Sequence, residues 1–152
     1  RTCVVMTADC LPVLITNKQG SFVAAIHAGW RGLCDGIVEK SIDRICNELN
    51  LPTNDLLVWL GPCIGPDVFE VGDDVRDLFV EQNPLADGAF SKGKTKGKWL
   101  ANLHQLAKLR LAEFDDINIT ESEFCTFNNP DLFYSYRRDG KTGRLATFIR
   151  ID

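Results

Sequence analysis

The sequence predicts an α+β fold, a mixed β-sheet core flanked by helices, folded as one domain over residues 1–152. Two observations carry this. Apolar runs of strand length mix with stretches of helical periodicity, without the strict alternation of a doubly wound sheet. No internal repeat or linker divides the 152 residues, of which 45% are hydrophobic and 25% charged, so the chain can bury one sizeable core.

Residues 2–6 read as a strand. Residues 12–16 and 22–27 read as a strand pair joined by a turn over Asn17 to Gly20. Ile37, Val38, Ile42, Ile45, Cys46 and Leu49 recur at helical spacing, which predicts a helix over 36–49 with Asp35 as its N-cap. That helix follows Gly29-Trp30-Arg31-Gly32 directly, so its positive end is expected near Arg31. Leu56 to Leu60 reads as a buried strand that breaks at Gly61-Pro62-Cys63-Ile64-Gly65-Pro66, a rigid, sharply turned loop. Helices are expected over 73–81 and 102–113, and strands over 117–121 and 144–151, the last preceded by a turn from Arg138 to Gly143. The first residues enter an apolar strand without a polar lead-in, and sequence upstream is expected to be missing.

Composition excludes several roles. A formal net charge of −4 argues against a nucleic-acid partner. Lys92, Lys94, Lys96 and Lys98, interleaved with glycine, read as a solvated mobile loop. No apolar run approaches the roughly 18 residues of a membrane span, and no basic leader opens the chain. A cytoplasmic protein with no membrane partner is the expectation. The six cysteines lack the spacing of a disulfide framework, and no CxxC occurs, so reduced thiols are expected, with Cys34 and Cys46 as core packing.

Two short blocks concentrate the chemistry. Cys10, in Thr7-Ala8-Asp9-Cys10-Leu11-Pro12, and His27, in His27-Ala28-Gly29-Trp30-Arg31-Gly32, stand at the ends of apolar strands. A buried thiol is usually a small hydrophobe, and a histidine at a strand end is often a satisfied core group. Neither suits this pair, because Cys10 sits between Asp9 and a Leu-Pro step and His27 is followed by two glycines around a Trp-Arg pair. Thiolate and imidazole are zinc ligands, although a catalytic zinc takes three from the protein. The glycines let backbone approach a ligand, and the Arg31 guanidinium suits an anion.

These blocks, with Gly-Pro-Cys-Ile-Gly-Pro (61–66), Phe69-Glu70-Val71, Phe-Tyr-Ser-Tyr-Arg-Arg-Asp-Gly (133–140) and Thr142-Gly143-Arg144, resemble the YfiH family. It is also called the laccase-domain or multicopper polyphenol oxidase family, and it includes purine nucleoside phosphorylases. The resemblance covers essentially the whole chain. It implies a YfiH-like fold, a zinc site of one cysteine and two histidines, phosphorolysis of purine nucleosides, and adenosine deamination. Cys10 matches the cysteine ligand and His27 the second histidine. The first histidine belongs to the family's N-terminal third, which this chain lacks. His104 lies on an expected helix and reads as an exposed or packed residue.

Around the metal ligands, Arg31, Arg137 and Arg138 are candidates for binding phosphate. Tyr134 and Tyr136, alternating in a strand, are candidates to wall the base. Cys63 either lines the pocket or packs in its turn, and Asp9, beside Cys10, either moves a proton or makes turn hydrogen bonds. Three rival readings remain: a copper-dependent, laccase-like polyphenol oxidase, a cysteine hydrolase with Cys10 as nucleophile and His27 as base, and a non-catalytic purine-binding module. With 2 histidines in the chain, a multicopper cluster is out of reach.

Overall fold

The computed structural model describes residues 1–152. β2 (Leu11–Asn17) lies between β3 (Val23–Ala28) and β4 (Leu56–Leu60), antiparallel to both. β8 (Asn118–Glu121) adds to β4 in parallel, giving a mixed four-stranded sheet in the order β3-β2-β4-β8. β1 (Thr2–Thr7) pairs antiparallel with β9 (Leu145–Arg150) as a separate ribbon, Thr2 opposite Arg150 and Thr7 opposite Leu145. Strand alternation decides which side of the central sheet is covered. Leu11, Val13, Ile15, Leu56, Val58 and Leu60 are each at most 2% exposed. Burying each such side chain contributes about 1.5–3 kcal/mol.

The helices cover that face. α1 (Trp30–Cys34) and α2 (Ile37–Leu49) follow β3, and α4 (Leu103–Leu111) belongs to the long crossover that a parallel β4–β8 pair requires. Leu103, Leu106, Ala107 and Leu111 form the buried stripe of α4, while Val38 and Ile42 do so on α2. Arg110 of α4 ties the layer together, donating to Glu39 Oε1 (3.1 Å), Gln82 Oε1 (2.6 Å) and the Cys34 carbonyl (3.0 Å). The crossover also holds α3 (Asp73–Gln82) and a small antiparallel sheet of β5 (Glu70–Gly72), β7 (Lys98–Ala101) and β6 (Phe90–Lys92). A last short helix, α5, spans Tyr136–Asp139. No helix is long and apolar enough to cross a membrane.

The expected elements are present, their ends shifted by one or two residues, and three expectations are corrected. Asp35 does not cap α2. It ends α1, whose five residues occupy the predicted turn, and Gly36, at φ 89°, supplies the left-handed reversal into α2. Arg31 therefore sits inside α1, not against the N-terminus of α2. The lysine-rich segment is the tip of the β6–β7 hairpin, closed by Gly93 N–H donating to the Lys98 carbonyl at 2.8 Å. Residues 134–136 are not a strand: Tyr136 begins α5, with the Ser135 hydroxyl accepting from Arg138 N–H (3.2 Å) as its cap.

Candidate active site

Five segments converge where β2 begins and β3 ends. Asp9 is the hinge. It takes φ 96°, a left-handed conformation rare for a residue with a side chain. The surroundings hold it there: Oδ1 accepts from Thr126 Oγ1 (2.7 Å), and Oδ2 accepts from Ser135 Oγ (3.0 Å) and Arg137 N–H (2.7 Å). The Asp9 carbonyl also accepts from Ile64 N–H at 2.9 Å. Backbone strain of this kind, of order 1–3 kcal/mol, persists when its surroundings over-determine it. With both carboxylate oxygens hydrogen-bonded, Asp9 is held where its backbone positions Cys10.

Cys10 is turned by that hinge toward the start of α1. A Cβ placed on Gly29 would lie 3.0 Å from the Cys10 Sγ, so the first glycine of the block is what admits the thiol. Gly32 is different, since a Cβ there would make only ordinary contact with Ile37 at 3.5 Å. Burial pushes the Cys10 thiol above its ordinary pKa, the neighbouring Asp9 adds to this, and Arg144 opposes it. His27 is exposed, opposite Pro12 in the β2–β3 register, which places it diagonally across from Cys10 at the end of the hairpin. Soft thiol and imidazole together suit zinc. They make two of the three protein donors such a site needs, and the chain assembles no group of three metal-ligating side chains.

Beside Cys10 opens a cavity of about 290 Å³, at the lower end of small-molecule pockets. Trp30, Phe69 and Tyr136 supply aromatic wall, and Arg31 and Arg137 supply positive charge. The Arg31 guanidinium stacks 4.4 Å from the Trp30 ring centre. That of Arg137 lies 5.3 Å from Phe69 and donates to the Glu70 carbonyl at 2.8 Å.

Other expected site residues lie elsewhere. The Arg138 guanidinium is spent on the carbonyls of Thr126, Phe127 and Phe133 and on the carboxylate of Asp139. Tyr134 packs under the turn at Gly143, where a Cβ would lie 2.9 Å from its ring. Cys63, 4% exposed, opens onto a separate cavity shared with Cys125, while its neighbour Ile64 lines that of Cys10. His104 is a packed helix histidine, its Nε2 2.8 Å from the Gly61 carbonyl and its Nδ1 3.5 Å from Glu121.

Residues 1–152 match the family described as multi-copper polyphenol oxidoreductase laccase. This chain belongs to that family. Among laccase-domain relatives it is 48% identical over 147 residues to "Purine nucleoside phosphorylase YfiH" of Escherichia coli, covering 97% of this chain and 58% of the relative. A purine nucleoside phosphorylase of Haemophilus influenzae is 47% identical, covering 98% of this chain and 60% of the relative. The solved structure of a Neisseria meningitidis protein superposes with a TM-score of 0.92 at 45% identity, over 99% of this chain and 60% of that one. A YfiH protein of Bacillus licheniformis gives 0.88 at 32% identity, over 97% and 56%. The chain thus spans about three fifths of the length of these laccase-domain relatives.

Residue reading missed Thr126 and Ser135, the two hydroxyls on Asp9, because nothing local marks a hydroxyl as the partner of a carboxylate more than 100 residues away. Phe69 and Trp30 stood in family blocks without a role. Arg144 also went unassigned. The β1–β9 register ends with Thr7 opposite Leu145, which sets Arg144 beside Ala8, two residues from Cys10.

Proposed function

We propose that this chain carries the cysteine-and-arginine part of a zinc-dependent purine nucleoside phosphorylase site that also deaminates adenosine. One observation supports it most: a thiol and two guanidinium groups share a single aromatic-walled cavity. Curated relatives at 46–48% identity are named purine nucleoside phosphorylases.

Cys10 and His27 would hold zinc together with the first histidine of the family pattern, which residues 1–152 do not supply. When bound, the ion supplies Lewis acidity and lowers the pKa of coordinated water. Arg31 and Arg137 clamp inorganic phosphate, the planar fork matching its oxygens. Trp30, Phe69 and Tyr136 wall the purine. In phosphorolysis a phosphate oxygen bonds to the ribose anomeric carbon as the bond to the base nitrogen breaks. The base leaves with the electron pair and takes a proton. In deamination, water adds to the purine carbon that bears the amine, and ammonia departs. Asp9 holds the backbone that aims Cys10. A nucleophilic Cys10 would need its pKa lowered, and burial does the reverse.

The test is to complete the chain with the upstream third that the family pattern calls for, load zinc, and supply adenosine with phosphate. Adenine with ribose 1-phosphate, together with inosine, is the expected product set by mass spectrometry, lost on chelation and in Cys10→Ala. Adenosine returned unchanged overturns the reading. Activity that survives chelation, with covalent labelling of Cys10, replaces it by the cysteine hydrolase.

A further inference from the structure

We propose that Cys63 and Cys125 are a peroxide-oxidisable thiol pair whose closure to a disulfide shifts the Asp9 bracket beneath Cys10. The inference stands on these two cysteines and their neighbours, independently of the reaction proposed above.

The two residues are direct partners in an isolated parallel β-bridge between the loop after β4 and the segment after β8, anchored by Thr126 N–H donating to the Cys63 carbonyl at 3.0 Å. Paired neighbours on adjacent strands lie about 4.8 Å apart with side chains on the same face. A disulfide accepts Cα separations of about 4.4–6.8 Å, so the backbone already lies within reach. Both cysteines open onto one cavity of about 160 Å³, and both are free thiols.

The pair is asymmetric in a way that orders the chemistry. Cys63 is 4% exposed, whereas Cys125 is half-buried and its Sγ accepts from Gly65 N–H at 3.2 Å. An oxidant arriving from solvent reaches the more exposed thiol of a pair first. Cys125 therefore meets peroxide first. Its sulfur attacks one oxygen of hydrogen peroxide, the O–O bond breaks, and water leaves with the thiol proton, giving a sulfenic acid. The Cys63 sulfur, which burial keeps protonated, then attacks that sulfur as its proton passes to the departing hydroxyl. The S–S bond forms as the S–O bond breaks, and a second water carries away the Cys63 proton. Two thiols lose two electrons and two protons, and one peroxide becomes two waters.

Closure reaches Asp9 through the next residue on each side. Ile64 N–H donates to the Asp9 carbonyl (2.9 Å), and Thr126 Oγ1 donates to the Asp9 carboxylate (2.7 Å). Closing the S–S bond ties the two segments together one residue from each of these donors, so the adjustment each backbone makes to reach disulfide geometry is passed to both. The pair thus sits where oxidation of either arm is felt by the residue that aims Cys10.

The experiment treats the reduced chain with a modest excess of hydrogen peroxide, blocks remaining thiols with iodoacetamide, and maps peptides without reductant. The expected result is a peptide linking Cys63 to Cys125, two hydrogens lighter than its parts and cleaved by dithiothreitol. Cys125→Ser must leave Cys63 reduced. Cys63→Ala must leave Cys125 as a sulfenic acid trapped by dimedone. The alkylation rate of Cys10 is expected to change severalfold on oxidation of the wild type and not of Cys125→Ser. If peroxide consumes Cys10 while Cys63 and Cys125 both remain alkylatable, the thiol pair is overturned; if the pair links and the Cys10 rate stays constant, the coupling to Asp9 is.

Discussion

The β2–β3 hairpin is closed at its two ends by opposite means. At the turn, Asn17 does the work locally: Oδ1 accepts from Ser21 N–H at 2.8 Å, Nδ2 donates to Gln19 and Ser21, and Gly20 takes the positive φ. At the open end, the polar atoms of Asp9 are satisfied by Ile64, Thr126, Ser135 and Arg137, residues 55 to 128 positions away in sequence. A self-contained end can tolerate change elsewhere in the molecule. An end assembled from distant segments can aim a thiol and set arginines around it, at the cost of depending on all of them.

Substitution of each end in turn should separate these roles. Asp9→Ala is expected to have the largest effect on folding, about 3–5 kcal/mol, because it orphans two buried hydroxyls and an amide and leaves the left-handed backbone unsupported. Urea denaturation reads this loss, and Cys10 should alkylate faster as its packing loosens. Cys10→Ala and His27→Ala should each lower the phosphorolysis rate of the completed, zinc-loaded chain by about 100-fold or more, with little change in the urea midpoint. A parallel fall in stability would mean that these side chains hold the fold.

Asn17→Ala should cost about 1–2 kcal/mol and leave zinc affinity and turnover untouched, which is the signature of local closure. Within the open end, Gly29→Ala should weaken zinc binding by about tenfold by pushing on the Cys10 sulfur, whereas Gly32→Ala should be close to neutral. Competitive titration with a chromophoric chelator distinguishes them. A separate effect concerns pH. Cys63 is pushed up by burial and by the neighbouring Cys125, so the native chain keeps a proton that the unfolded chain releases above about pH 8.5. Stability is therefore full below that pH and falls above it, by at most about 1.4 kcal/mol per pH unit. Cys63→Ala should reduce the slope in urea midpoints measured from pH 7 to 10, the raised thiols of Cys10, Cys34 and Cys46 supplying the remainder.

The same contrast explains what could be read from sequence. The turn at Asn17 to Gly20, the buried strand at Leu56, and the stripes of α2 and α4 follow from neighbours a few residues apart, and periodicity finds them. The alternation Tyr134, Tyr136 suggested a strand because period two cannot reveal that Ser135 caps a helix while donating to Asp9. Arg137 and Arg138 are chemically identical, and only tertiary placement sends one to the cavity and the other to three backbone carbonyls. The β5–β7–β6 sheet escaped notice because its strands are three or four residues long, below the length at which alternation means anything. Cys10 and His27 stood out because they end strands, a local property.

The pairing of Thr2 with Arg150 has a consequence in time. A contact between residues 148 positions apart closes a long loop, and such contacts form late because loop-closure entropy is lost before any contact rewards it. During synthesis, β1 must wait for β9 to leave the ribosome before it finds its partner. Ser135 and Arg137, which lock Asp9, emerge only just ahead of β9. Cys10 is made well before Thr126, Ser135 and Arg137, which hold Asp9 beside it, so the nascent chain carries an unaimed thiol until those residues have left the ribosome.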